Sequence, residues 1–157
     1  MKFEKFIKRA GINAVIVSDH NGTKWIYNDG VAMPIPEVVV NNYGDATAML
    51  PRNVIDGLRD INPEEGYFAE LVRAEIPADG KTKEITRIYA DNDFEFKIRN
   101  ADWALIERSD IVDIVIDNND EPVAIAVHNG RNVIGIIFPI GFTRNDLEKL
   151  EDDHNGN

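Results

Sequence analysis

Apolar positions along this chain recur mostly in steps of two, and in helical steps only near its two ends and in one central stretch. Residues 2–10 place Phe3, Phe6, Ile7 and Ala10 on one helical face, with Lys2, Lys5, Lys8 and Arg9 around them. Gly11 ends that helix, and Lys8 and Arg9 fall in its last turn, where cations suit the dipole. A second helix is predicted over 51–60, with Pro51 at its first position and Val54, Ile55 and Leu58 as its buried stripe. A third, C-terminal helix starts from Thr143 as N-cap with Asp146 three residues on, and Leu147 and Leu150 as its apolar contacts.

Between these helices the period is two. NAVIVSDH and TKWIYND flank Asn21-Gly22, a strong short-range hairpin signal because both turn positions favour positive φ. The following GVAMPIPEVVV carries Pro34 and Pro36, which predict an edge strand or an extended crossing. YFAELVRAEI reads as a strand up to Pro77, with a turn at Asp79-Gly80. From 83 to 140 the pattern predicts dense β-structure. DFEFKIR alternates, with Phe94, Phe96 and Ile98 inward, and IVDIVID pairs with VAIAVH across 118–122. Asn129-Gly130 then leads to NVIGIIF, which is apolar on both faces and so belongs in the middle of the sheet.

The pattern therefore predicts an α+β domain over 1–150, mostly antiparallel β-sheet built from hairpins, with about three short helices. EDDHNGN at 151–157 reads as a frayed acidic tail. Two passages resemble each other: His20-Asn21-Gly22 leads to Gly30-Val31-Ala32-Met33-Pro34-Ile35, and His128-Asn129-Gly130 leads to Gly135-Ile136-Ile137-Phe138-Pro139-Ile140. Either two hairpins coincide in sequence or a β-unit is duplicated.

Charge narrows the function. The chain has 157 residues, with 17 Lys and Arg against 28 Asp and Glu, for a net charge of -11. Such a surface repels phosphate backbones, which excludes a plain nucleic-acid-binding module. Nucleic acid remains a partner only through a local basic face, as in a ring whose inner wall alone is basic. The acidity also suits a protein that occupies a basic surface in place of nucleic acid. With no cysteine there is no disulfide, thiol nucleophile or Cys-based metal site. The charged N-terminus and the lack of a long apolar run point to a cytoplasmic protein, of a bacterium or an infected cell, without membrane contact.

Candidate chemistry is sparse. Asp91, Asp93 and Glu95, and likewise Asp117, Asn119 and Glu121, alternate like the start of a calcium loop. Such a loop needs Gly at its sixth position and Glu at its twelfth; the clusters offer Phe96 and Asp102, or Pro122 and His128. No metal and no cofactor is expected. Ser18 and Ser109 lie outside any nucleophile elbow, and the glycines serve turns rather than phosphates. His20 and His128 read most simply as polar residues beside turns. Asp113, on a face with Ile111 and Val115, reads as an edge-strand charge that blocks sheet-to-sheet pairing. The catalytic candidates are Asp113, Asp117 and His128, which converge if IVDIVID pairs with VAIAVH. The binding candidates are Lys5, Lys8, Arg9, Arg52 and Arg59, which form one basic patch if the two helices face the same way.

Lys24-Trp25-Ile26-Tyr27, the Gly30–Pro36 segment with Met33-Pro34, and VAIAVHNGRNVIGIIFPI before a terminal helix make the chain resemble small proteins of phages and prophages. An acidic β-rich unit with two helices and a late strand ending in Phe138-Pro139-Ile140 also resembles one domain of a sliding clamp, a DNA-polymerase processivity factor. That resemblance implies an acidic ring with basic inner helices. The leading expectation is thus a non-enzymatic interaction protein, phage-encoded and of replication-accessory type. A protein partner and a homo-oligomer are expected. The alternatives are an acidic DNA-mimicking inhibitor of a nucleic-acid-binding protein and a carboxylate–histidine hydrolase.

Overall fold

A computed structural model of the chain describes residues 1–10, 14–19, 22–35, 48–50, 68–75, 85–90, 95–116, 122–130 and 132–141. The expected helix over 51–60, the C-terminal helix and the tail over 151–157 lie outside the described residues. What is described is an α+β structure dominated by antiparallel sheet, as the alternating pattern predicts. Helix α1 (Phe3–Ala10) precedes the meander β1 (Val15–Ser18), β2 (Lys24–Asn28) and β3 (Val31–Pro34). Then come β4 (Ala48–Met49), β5 (Phe68–Glu75), β6 (Ile85–Ala90) and β7 (Glu95–Arg99). A short helix α2 (Asn100–Trp103) precedes a second meander, β8 (Ile111–Ile116), β9 (Pro122–Asn129) and β10 (Asn132–Ile137). The sheet order is β4-β1-β2-β3-β10-β9-β8-β5-β6-β7, antiparallel throughout apart from β1 with β4.

As its two-sided apolar pattern requires, β10 lies at the centre, between β3 and β9. The prolines of the third strand do not hold it at an edge. β3 meets β10 only through Val31 and Ala32, so Pro34 lies past the end of that ladder and removes no bond from it. Nor is β8 an edge: it pairs with β9 on one side and β5 on the other, so Asp113 is an interior-strand carboxylate and cannot block sheet-to-sheet pairing. The run of β-structure expected from 83 to 140 is broken by α2 and the turns after it, which occupy residues 100–110.

Turn chemistry explains the meanders. At β2–β3 the loop residues Asp29 and Gly30 have φ of 47° and 87°, the doubly positive type I′ geometry. The β1–β2 hairpin forms as the Asn-Gly signal implies, but with a longer loop than a two-residue turn. Asp19 and Thr23 pair around it, Gly22 donates to the Asp19 carbonyl, and Gly22 takes the left-handed position at φ 81°. At β9–β10, Asn129 pairs with Asn132, so the turn frame begins at Gly130 (φ 62°), one residue later than Asn129-Gly130 implies.

The two meanders meet through antiparallel β3 and β10, giving the mirrored order β1-β2-β3-β10-β9-β8 with a helix ahead of each. Each meander and the helix ahead of it make an α–β–β–β unit. The two His-Asn-Gly passages are not equivalent in these units, because one follows the first strand of its meander and the other the second. On one face, Ile26, Val31, Met33, Ile114, Ile125, Val127 and Ile137 form a core with Phe6 of α1 and with Trp103 and Leu105 of the α2 segment. On the other face, Val17, Trp25, Tyr27, Ala32, Val115, Ala124, Ala126, Ile136 and Phe138 form a second core. The sheet also curls on itself. Ile98 of outer strand β7 belongs to the first core, Ile140 donates its N–H to the Lys97 carbonyl, and Arg99 donates to the Asp29 carbonyl.

Gly30→Ala is expected to lower stability by about 1–2 kcal/mol in urea unfolding, since its φ of 87° is costly for any residue with a Cβ. An unchanged midpoint would show that the type I′ turn does not constrain the first meander.

Candidate functional site

Cross-strand register assembles the strongest polar constellation. Ile111 pairs with His128 and Asp113 with Ala126, so Asp113 is the diagonal neighbour of His128 on one sheet face. His128 Nε2 lies 2.5 Å from Asp113 Oδ2, and its Nδ1 lies 3.1 Å from the Gly130 carbonyl oxygen. The His128 side chain is 6% exposed and that of Asp113 is 23% exposed. Both neighbours of the ring are acceptors, whereas a neutral imidazole carries one N–H. The ring donates to the carboxylate or to the carbonyl according to which nitrogen carries its proton. Gly130 can supply its carbonyl because its left-handed backbone turns the chain there.

This arrangement brings together two of the three catalytic candidates; Asp117 lies outside the described residues. What the pair can do depends on what its other polar atoms face. In a nucleophilic triad one ring nitrogen faces the orienting carboxylate and the other faces the nucleophile. Here the second nitrogen lies against the Gly130 backbone carbonyl rather than a nucleophilic side chain. Among the described residues no three of His, Cys, Asp and Glu cluster to hold a metal ion. His20 lies outside the described residues. Its neighbour Asp19 accepts from the Thr23 backbone N–H at 2.9 Å and the Trp25 indole at 3.2 Å.

The basic patch divides. Lys5 and Lys8 are exposed on α1, while Arg52 and Arg59 lie outside the described residues. Arg9 is committed inward: Nη1 donates to Asp102 Oδ1 at 2.7 Å, and its guanidinium sits 5.8 Å from the centre of the Phe6 ring. Asp102 is buried on α2, so this ion pair ties the two helices together. Two further contacts reinforce the tie. Lys2 N–H donates to the Leu105 carbonyl at 2.8 Å, and the Met1 ammonium donates to Asp110 at 2.6 Å.

Burial pushes the Asp102 carboxyl above the usual aspartate range. The Arg9 charge and hydrogen bond and the more distant Arg99 pull it back, while Asp29 adds to the rise. Protonating Asp102 therefore favours the folded chain, a contribution present in acid and lost as pH rises through the raised value. The sequence does not show that Asp102 is buried, because a four-residue helix has too little length to show a period. The one local signal was Asp102 beside Trp103 in a stretch that breaks strand alternation.

No helix among the described residues is long and apolar enough to cross a membrane. The chain matches no protein-family model, no curated protein and no solved structure.

Arg9→Ala is expected to cost about 3 kcal/mol at neutral pH, because it strands a buried carboxylate, and the deficit should shrink as acid protonates Asp102. Asp102→Asn removes the buried charge itself and is expected to cost less than about 1 kcal/mol. Chemical denaturation of both variants across pH checks the pair; equal losses at every pH would refute this balance.

Proposed function

We propose that this chain is a non-enzymatic binding protein that acts through its surface. One observation carries the reading: both ring nitrogens of His128, the one histidine among the described residues, are engaged inside the protein. The buried carboxylates Asp102 and Asp110 are likewise spent on Arg9 and on the Met1 ammonium. These groups fasten elements together, and recognition falls to the exposed charge.

In its finer form the proposal is a replication accessory of sliding-clamp type, phage-encoded and cytoplasmic. The supporting feature is the pair of α–β–β–β units with both helix segments on one sheet face, where Lys5 and Lys8 of α1 are exposed on an otherwise acidic chain. On this reading the two lysines meet phosphates locally while the bulk charge repels them.

Light scattering of the purified protein should give the mass of a closed oligomer, and closed circular DNA should retain it at salt where linear DNA releases it. A monomer that instead binds a basic protein, ever more weakly as salt rises, would move the reading to a DNA-mimicking inhibitor. Turnover of a nucleotide, ester or peptide substrate that is lost in His128→Gln would refute the binding reading altogether.

A further inference from the structure

The two α–β–β–β units provide an internal control for the His128–Asp113 pair. Counting back from the β2–β3 and β9–β10 turns, Asn28 corresponds to Asn129, Tyr27 to His128, Ile26 to Val127 and Trp25 to Ala126. Their cross-strand partners correspond in turn, Val15 to Ile111 and Val17 to Asp113. The faces agree: Ile26 and Val127 lie in the first core, Trp25 and Ala126 in the second. The first unit thus fills with Tyr27 and Val17, both in the second core, the places that the second unit gives to His128 and Asp113. The first unit places a tyrosine and a valine there, and burying a polar pair carries a desolvation cost that an apolar side chain avoids. The polar pair is particular to the second unit.

Its geometry is that of a held carboxylate. His128 is anchored by the Gly130 carbonyl and grips Asp113 through Oδ2. Oδ1 has no hydrogen-bond partner among the described residues, and the side chain is 23% exposed. Two residues away on the same face stands Ile111, 51% exposed, one of two large exposed hydrophobic residues among those described. A carboxylate fixed from behind, with an apolar shelf beside it and on a chain of net charge -11, matches one kind of group. That group is a cation on an alkyl stem. We propose that Asp113, positioned by His128, receives an arginine or lysine side chain of a basic protein partner, with Ile111 covering the stem. The proposal deepens the binding-protein reading and rests on it. Because the carboxylate is already ordered, little freedom is lost when the cation docks.

The test uses the intact protein and N-acetyl-arginine amide as probe, with the neutral N-acetyl-citrulline amide as control, followed by NMR. Saturable shifts concentrated at Ile111, Ala126 and His128 are expected from the arginine probe and none from the citrulline probe. Asp113→Asn should weaken the response about tenfold, and Ile111→Ser should weaken it several-fold. Shifts of equal size around the exposed Asp29 and Glu107, or a response untouched by Asp113→Asn, would overturn the proposal as general attraction to an acidic surface. The double variant Asp113→Val/His128→Tyr copies the first unit; it should melt no lower than the parent and lose the local response. A lower melting temperature would overturn the premise that the fold does without the pair. Substrate turnover would sink the binding reading while leaving these shifts in place, whereas absent shifts without turnover would sink only this site.

Discussion

Two residue pairs, Val31 with Ile137 and Ala32 with Ile136, join the halves of the sheet, and all four residues are fully buried. Everything else is arranged around that short antiparallel contact. It sets the register between the two meanders, and a one-residue slip would exchange the faces of every strand beyond it. Phe138 N–H donates to the Gly30 carbonyl at 2.6 Å just past its end, which ties the contact to the type I′ turn of the first meander. Because the strands are central, both of their faces are covered, and each buried aliphatic side chain contributes about 1.5–3 kcal/mol.

Charge is used differently inside and outside this frame. Inside, Arg9 with Asp102 and the Met1 ammonium with Asp110 hold α1 against the α2 segment. Such pairs add little net stability, since desolvation offsets attraction, but losing one partner leaves the other stranded. They therefore specify where the first helix sits. Arg9 shows how this alters a reading made from charge alone, because a cation counted towards a surface patch is consumed by a buried carboxylate.

The His128–Asp113 pair lies between these uses. Its ring is buried with contacts at both nitrogens, and its carboxylate reaches the surface beside an exposed Ile111. The first unit holds Tyr27 and Val17 at the corresponding positions. The difference between the two units lies at positions that correspond in strand register.

Much of the architecture is legible in local pattern. Alternation marks the strands, Asn-Gly marks two hairpins, and the two-sided apolar character of NVIGIIF places β10 at the centre. The Asp29-Gly30 turn was legible too, since Asp-Gly between apolar runs is a hairpin signal, but Pro34 and Pro36 drew attention to an edge. The strand environment of Pro34 and Asp113 was not legible, because whether a strand is interior depends on which distant strand pairs with it. The same holds for the site. His128 and Asp113 are 15 residues apart, and only the β8–β9 register makes them neighbours. Strands, hairpins and overall charge follow from local pattern, because they depend on side-chain period and turn conformation. Only the tertiary structure decided which charges are spent in ion pairs and which carboxylate is held ready, because long-range pairing sets burial and partnership.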